Sequence, residues 1–149
     1  MNMLLETKID ASKEKVWQII SDIEGSADVI SGIEGIEILE KPAKGLVGLK
    51  WQETRIMFGK TATEVMWITE AEKNQHYKTR AEGPGVIYAT TLTVSDDGPQ
   101  TSLSMQFDAE STSFGSRILS GLMSVFIKKS MKDAIEKDLT DIKAAAENL

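Results

Sequence analysis

Apolar residues recur at every second position through much of residues 36–109, a period that is typical of strands with one buried face. Residues 86–94 give the clearest case. Turn-forming residues, among them Gly83-Pro84-Gly85, separate the runs. The pattern predicts seven strands: Leu4–Asp10, Ile36–Glu40, Leu46–Phe58, Thr61–Glu72, His76–Glu82, Val86–Val94, and a last strand with Leu103, Met105, Phe107 and Ala109 on one face.

Other segments follow the helical period of 3.6 residues instead. Residues 16–23 place valine and isoleucine at that spacing, and Asp10 or Ser12 precedes them as a capping residue. Residues 24–35 predict a second short helix or turn. Residues 113 to about 147 predict one long helix. Its first half is apolar around most of its circumference, and its second half keeps a narrow stripe of Met131, Ala134, Ile135, Leu139 and Ile142.

This order of elements predicts an α+β fold in a single domain, residues 1–149. The last helix would extend over roughly 50 Å, at about 1.5 Å per residue, which is more than a small domain needs to cap a sheet. A curved antiparallel sheet wrapped around the helix would bury its first half on several sides. Gly115, Gly121 and nearby serines lie among the large apolar residues there, so we expect a cavity to remain.

The net charge of −6 argues against a nucleic-acid partner, because phosphate neutralisation needs clustered Lys and Arg. The lysines of residues 128–132 are followed at once by the acids of residues 133–138, which include Asp138. This mixture predicts a solvated helix face.

The chain has no cysteine, which excludes disulfides and thiolate chemistry. No segment approaches the roughly 20 apolar residues of a membrane span. We therefore expect a cytoplasmic protein without integral membrane association.

Several short motifs occur in an order that covers the whole chain: Thr7–Ser12, Val16–Asp22, Gly48–Trp51, Gly83–Gly85 and the closing helix. On these motifs the chain resembles the START-like (SRPBCC) superfamily, and within it the polyketide cyclase/dehydrase-like branch. The resemblance implies a helix-grip fold, in which a seven-stranded curved antiparallel sheet wraps around the C-terminal helix and two short helices lie between the first two strands. It also implies a hydrophobic cavity for lipids, sterols or polyketides.

Strand parity predicts which side chains face this cavity. A hairpin with Gly59-Lys60 as its two-residue connection sets Arg55 opposite Glu64, so the two side chains can form an ion pair inside the cavity. The alternative is a rim pair worth under ~1 kcal/mol. The inward face of the third strand is predicted to carry Val47, Leu49, Trp51, Glu53, Arg55 and Met57.

Parity also turns Tyr77 inward, and Tyr77 and Tyr88 would offer two hydroxyls to a ligand. The alternative for both tyrosines is packing at the sheet edge, and the alternative for the methionines and phenylalanines is an ordinary core. The predicted ligand-binding residues are Trp51, Glu53, Arg55, Met57, Glu64, Met66, Tyr77, Tyr88, Met105, Phe107, Ile118, Leu122, Met123 and Phe126.

The sequence also limits the chemistry. His76 is the sole histidine, which excludes a metal site with several histidine ligands, and it follows a Lys-Asn-Gln turn that predicts exposure to solvent. Gly83–Gly85 lacks the third glycine and the following helix of a dinucleotide loop. We expect no metal and no cofactor, and no catalytic set is recognisable.

Three functions stay open at this point. The first is binding of a small hydrophobic or amphipathic ligand. The second is an enzyme of the cyclase/dehydratase kind, in which Arg55, Glu64 or a tyrosine polarises a carbonyl or moves a proton. The third is a protein-interaction module, in which Trp17 and Trp67 are candidate anchors if they are exposed. The sequence does not specify the ligand or the oligomeric state.

Overall fold

The structure is a computed structural model that describes residues 2–57, 59–112 and 114–149, with the side chains of residues 57 and 114–127 outside the description. The described elements, in chain order, are β1 (Asn2–Ile9), α1 (Lys13–Ser21), α2 (Ser26–Val29), β2 (Ile33–Glu40), β3 (Lys50–Met57), β4 (Lys60–Glu72), β5 (His76–Gly83), β6 (Val86–Asp97), β7 (Gln100–Ser111) and α3 (Phe114–Glu147).

The seven strands of the described residues form one antiparallel sheet in the order β1-β7-β6-β5-β4-β3-β2. The sheet is curved, the long helix α3 packs against β1 and β7, and the two short helices lie between the first two strands. The predicted α+β helix-grip fold is therefore confirmed.

The core lies between the inner face of the sheet and the second half of α3. Ile135, Leu139, Ile142 and Ala146 are buried at the spacing of one helix face. They meet strand residues that are almost fully enclosed, such as Leu103 of β7. Packing of this apolar stripe, rather than helix propensity alone, holds the end of α3 on the sheet.

Helix α1 is fixed at both of its ends. Ser12 is the N-cap, and its Oγ accepts a hydrogen bond of 3.2 Å from the backbone N–H of Lys15. At the other end, the hydroxyl of Tyr77 donates to the backbone carbonyl of Ile20 at 3.1 Å. This carbonyl is one of the last four of the helix, which have no partner within the helix itself.

Trp17 packs in the same place, with its ring edge-on to Tyr77 at a centroid distance of 6.1 Å. Only 7% of Trp17 is exposed, because α1 turns this side chain toward the sheet. Trp17 therefore does not meet the condition of exposure under which it was a candidate anchor for a partner protein. Trp67 lies on the outer face of the sheet, half-buried beneath the Lys50 ammonium at 5.8 Å from the ring centroid.

The β3–β4 hairpin is shifted by two residues from the predicted register. Met57 pairs with Lys60, so residues 58 and 59 make the connection, and Gly59 takes a positive φ of 73°. Glycine thus occupies the second position of the connection rather than the first.

The shift changes which residues meet but not which face they share. Glu53 lies opposite Glu64, and Arg55 lies opposite Ala62, so the predicted pairing of Arg55 with Glu64 is wrong. A shift of two residues preserves parity, and the side chains of Trp51, Glu53 and Arg55 still point inward.

Strand β3 also starts later than predicted. Gly45 and Gly48 have φ values of 69° and 94°, so the chain turns there instead of extending. Val47, predicted to face inward, is 52% exposed in this turn, whereas Leu49 is buried.

Candidate functional site

A cavity of about 200 Å³ lies between the inner face of the sheet, helices α1 and α2, and the second half of α3. Most of its wall is apolar. The helix pair contributes Ile19, Ile20, Ile23, Val29 and Ile30, the strands contribute Ile33, Trp51, Met66, Leu92, Met105 and Phe107, and α3 contributes Met131, Ala134, Ile135 and Ile142.

Eight of the fourteen predicted ligand-binding residues line this cavity: Trp51, Glu53, Arg55, Glu64, Met66, Tyr77, Met105 and Phe107. Tyr88 is half-buried beside it, with its ring stacked on Phe107 at a centroid distance of 5.9 Å. The side chains of Met57, Ile118, Leu122, Met123 and Phe126 lie outside the described residues. A ligand-binding role for these residues stays a prediction.

The predicted set of ligand-binding residues did not include α1, α2 or the second half of α3. A signal for α1 was present in the sequence, because Ile19 and Ile20 lie within the helix and Ile23 follows its end, and all three line the cavity.

One region of the cavity wall is charged, and Arg55 lies at its centre. The Nε atom of Arg55 donates to Glu53 at 2.8 Å. Its Nη1 and Nη2 atoms donate to the two carboxylate oxygens of Asp138, at 3.2 and 2.9 Å. Arg55 therefore joins β3 to α3 through a bidentate pair, with a second acid from its own strand.

Asp138 is 7% exposed, so the prediction that it belongs to a solvated helix face is wrong. The neighbouring Lys132, Asp133 and Glu136 are exposed as predicted. A signal in the sequence could have revealed this. Asp138 lies three residues after Ile135, on the apolar stripe itself, and a carboxylate on a buried face usually has a cationic partner.

Electrostatics tie the three groups together. Burial by itself would lower the pKa of the Arg55 guanidinium, but Asp138 and Glu53 outweigh it and raise that pKa. Burial raises the pKa of the Asp138 carboxyl, and the nearby acids Glu53 and Asp141 add to this against the opposing effect of Arg55. The single guanidinium of Arg55 therefore lies beside more negative charge than it can neutralise.

Glu64 lies directly across from Glu53 on β4 and also lines the cavity. Among the side chains that the structure describes, its carboxylate has no hydrogen-bond or ion-pair partner, and the residue is exposed to solvent at the open side of the cavity. Partial burial and then repulsion from Glu53 raise the pKa of the Glu64 carboxyl. This position offers an acceptor, or a proton when protonated, to a molecule in the cavity.

The hydroxyl of Tyr77 is already used. It donates to Ile20, and burial together with the nearby Glu53 raises the pKa of the Tyr77 phenol. Tyr77 is therefore a neutral group that fixes α1 over the cavity, which fits neither of the two predicted alternatives for its hydroxyl.

The α2 side of the cavity is tied to α3 by a separate contact. The backbone N–H and the hydroxyl of Ser31 both donate to Asp141 Oδ2, each at 2.9 Å. Lys137 forms an ion pair with the other oxygen of the same carboxylate. The segment from Ser26 to Ile33, which carries four cavity-lining residues, is thus held against the helix.

His76 lies away from the cavity wall, half-buried, with its Nε2 atom 2.9 Å from Glu70. No cluster of three or more potential metal ligands occurs among the described residues. Within that same part of the chain, no helix has the length and apolar character needed to cross a membrane.

Comparisons with known proteins agree with this fold. The structure is similar to the Zhui aromatase/cyclase from Streptomyces sp. R1128, with a TM-score of 0.83, 16% identity, and coverage of 99% of this chain and 93% of that chain. It is also similar to a START superfamily protein from Mycobacterium smegmatis, with a TM-score of 0.82, 17% identity, and coverage of 99% and 97%.

A third similar structure is TTHA0849 from Thermus thermophilus, with a TM-score of 0.81, 18% identity, and coverage of 98% and 97%. No curated protein matches the sequence at a significant level. The sequence model of one family, described as polyketide cyclase / dehydrase and lipid transport, matches residues 5–147. The chain therefore belongs to the polyketide cyclase / dehydrase and lipid transport family.

Proposed function

We propose that this protein binds a small, mainly apolar molecule in the cavity between the sheet, α1, α2 and α3. The observation that carries the proposal is the composition of the wall, in which isoleucine, methionine and aromatic side chains surround one charged region. Binding sites for small molecules commonly combine an apolar wall with a few polar groups that fix the orientation of the ligand.

The size of the cavity supports a ligand with a compact apolar part. An engineered apolar cavity of about 150 Å³ holds benzene, and the cavity here has about 200 Å³. The methionines Met66, Met105 and Met131 can change rotamer to enlarge the space, since their side chains are unbranched. The family description, which names lipid transport beside polyketide cyclase / dehydrase, is consistent with such a ligand.

A cavity-filling substitution tests the proposal. Ala134 lines the cavity on α3, and Ala134→Leu adds apolar volume there, whereas Ala144 is exposed on the same helix and Ala144→Leu serves as the matched control. The probe is a neutral solvent-sensitive naphthalene dye such as prodan, displaced by octanol or naphthalene. We expect the apolar molecules to displace the dye from the wild type and from the control. Their binding to Ala134→Leu is expected to be at least tenfold weaker.

Equal binding of the apolar molecules to wild type and Ala134→Leu would show that they bind elsewhere. Ligands carried through purification, identified by native mass spectrometry, would then supply the class of molecule. A cavity that is filled only by side chains would give no displacement in any variant.

A second candidate function is dehydrative cyclisation. It is favoured by the position of Glu64, whose carboxyl has a raised pKa and lies beside the fixed cluster of Glu53, Arg55 and Asp138. A carboxyl of this kind can transfer a proton, and the charged groups around it can stabilise charge that develops on a carbonyl. The aromatase/cyclase name of one structural neighbour is consistent with this chemistry.

The test uses a linear triketone, whose ring closure with loss of water is followed by absorbance. Loss of a group that transfers a proton typically lowers the rate by roughly a hundredfold or more. We expect this loss in Glu64→Gln and not in Glu37→Gln, which removes a charge from the outer face of β2. A rate in Glu64→Gln equal to that of the wild type would exclude Glu64 as the proton donor or acceptor.

A further inference from the structure

The charged region of the cavity wall is unbalanced. Among the described residues that line the cavity, three carry carboxyl groups, Glu53, Glu64 and Asp138, and one carries a positive charge, Arg55. The remaining polar residues of the wall, such as Thr79 and Thr90, are uncharged. A molecule that enters the cavity therefore meets an excess of negative charge in a partly desolvated space, where charges interact more strongly than in water.

Arg55 is already engaged by two acids. Three of its five N–H groups are directed at Glu53 and Asp138, and both oxygens of Asp138 accept from it. Asp138 is held in place by the packing of α3, and 10% of its side chain is exposed. An incoming carboxylate would meet only the two remaining N–H groups of Arg55 and would add a fourth negative charge beside Glu53, Glu64 and Asp138, which is unfavourable in a partly desolvated space.

The acids, by contrast, retain accepting capacity. Glu53 Oε1 has only a long contact of 3.5 Å with the indole N–H of Trp51, in addition to the bond that Oε2 accepts from Arg55. Glu64 has no partner among the side chains that the structure describes, and it lies directly across the hairpin from Glu53. These two carboxylates can converge on a group that donates several hydrogen bonds and carries positive charge.

We propose that the ligand of this cavity is an amphiphile whose polar end is a protonated amine, held by Glu64 and Glu53, and that the cavity rejects carboxylates. This inference rests on the proposed binding function and specifies the class of its ligand. The apolar part of the ligand lies along the isoleucine and methionine wall. Its ammonium group offsets the negative charge of the three acids that Arg55 leaves unbalanced. Arg55 keeps Glu53 and Asp138 in place instead of contacting the ligand.

Three probes of equal chain length separate charge from apolar contact: octylamine, octanol and octanoate. Their chains are short enough for a cavity of this volume, and they differ only at the polar end. Calorimetric titration of the full-length protein at neutral pH is expected to rank octylamine above octanol, and octanol above octanoate. A charge-assisted hydrogen bond in a partly buried site corresponds to a preference of roughly tenfold or more between the first two.

Two variants assign the preference to its source. Glu64→Gln is expected to reduce octylamine binding by roughly tenfold and octanol binding by less, so that the preference for the amine is lost. The control Glu37→Gln removes the same charge from the outer face of β2 and is expected to change neither. Ala134→Leu is expected to weaken both probes, because it removes the space for the shared chain.

High salt distinguishes cavity binding from attraction to the acidic surface. At about 1 M salt the Debye length falls to about 3 Å, so attraction by the distant acidic surface is screened, while direct hydrogen bonds to Glu53, whose side chain is 12% exposed, persist. Equal or tighter binding of octanoate, a preference that disappears in high salt, or a preference that Glu64→Gln leaves intact would each overturn the inference. Binding of none of the three probes would contradict the proposed binding function itself.

Discussion

Arg55 of β3 and Asp138 of α3 form a bidentate pair, with N–O distances of 3.2 and 2.9 Å, although 83 residues separate them in the chain. The pair connects the centre of the sheet hairpin to the helix that packs across it. Because both side chains are largely buried, the pair must offset the cost of removing two charges from water. Its contribution to stability is therefore best tested by breaking it from one side and then from both.

Arg55→Met is expected to lower the free energy of unfolding by about 3–5 kcal/mol, because it leaves Glu53 and Asp138 buried without their cation. The double variant Arg55→Met/Asp138→Leu is expected to recover part of this loss, since one unpaired charge is removed as well. Urea denaturation of both measures the difference. Arg80→Met is the control, because Arg80 pairs with Glu82 on the exposed face and that pair contributes under about 1 kcal/mol.

A double variant no more stable than Arg55→Met alone would show that the unpaired charge of Asp138 is not the source of the loss. In that case the packing of the Arg55 side chain across the cavity would account for it.

Glu64 predicts a pH dependence of stability. Its pKa is raised in the folded protein, so between the ordinary glutamate pKa and the raised one the folded state holds a proton that the unfolded state has lost. Stability therefore falls as pH rises through this window, and the cost persists above it. Glu64→Gln is expected to raise the melting temperature at neutral pH and to have no such effect below the ordinary glutamate pKa.

Melting temperatures of wild type, Glu64→Gln and the outer-face control Glu37→Gln, measured across acid to neutral pH, check this sign. A stabilisation by Glu64→Gln that is equally large in acid would contradict the titration of Glu64 as its cause.

The pKa shift of Asp141 predicts a change of stability with pH that is opposite to the one predicted for Glu64. Burial by itself would raise its pKa, but the hydrogen bonds from Lys137 and Ser31 outweigh this and lower the pKa of the Asp141 carboxyl. Its stabilisation is therefore present above the ordinary aspartate pKa and is lost as pH falls through the lowered one. At neutral pH, Asp141→Ala is expected to cost about 1–3 kcal/mol, the range for hydrogen bonds to a charged group.

Hydrogen exchange locates the effect of Asp141→Ala. Because Ser31 is tied to Asp141 through two hydrogen bonds, amide exchange in residues 26–33 is expected to accelerate more than exchange in β7. The control is Asp133→Ala, a change at an exposed position of the same helix. Uniform acceleration throughout the sheet would instead indicate global destabilisation.

The hydroxyl of Tyr77 is expected to contribute to the stability of the fold through its one hydrogen bond to Ile20. Tyr77→Phe keeps the ring against Trp17 but leaves the carbonyl of Ile20 without its donor, so a loss of about 1–3 kcal/mol is expected. Tyr88→Phe is the matched control. The Tyr88 ring stacks on Phe107, and its hydroxyl has no hydrogen bond among the described side chains. Equal stability losses in urea for the two variants would contradict the helix-capping role of Tyr77.

Periodicity and turn residues were sufficient to predict the type and order of the elements. The period of two in β5 identified Tyr77 as an inward residue, and the stripe from Ile135 to Ile142 identified the buried face of α3. Parity also survived the error in the β3–β4 register, because an even shift returns each side chain to the same face. These features depend only on residues that lie within a few positions of one another, so they can be read from the sequence.

The register itself was predicted incorrectly for a local reason. A glycine permits a positive φ at either position of a two-residue connection, and Gly59 occupies the second position rather than the first. The consequence is large for the site, since Glu64 lies opposite another acid, Glu53, instead of opposite Arg55.

By itself, then, the sequence determined the curved sheet, the long helix and the inward face of β3, because hydrophobic spacing and turn chemistry are local properties of the chain. Only the tertiary structure decided that Asp138 meets Arg55, that Ser31 is held by Asp141, and that α1 and α2 close the cavity. These contacts join elements that are distant in the chain. Their geometry depends on where α3 crosses the sheet, and the packing of the whole core sets that crossing.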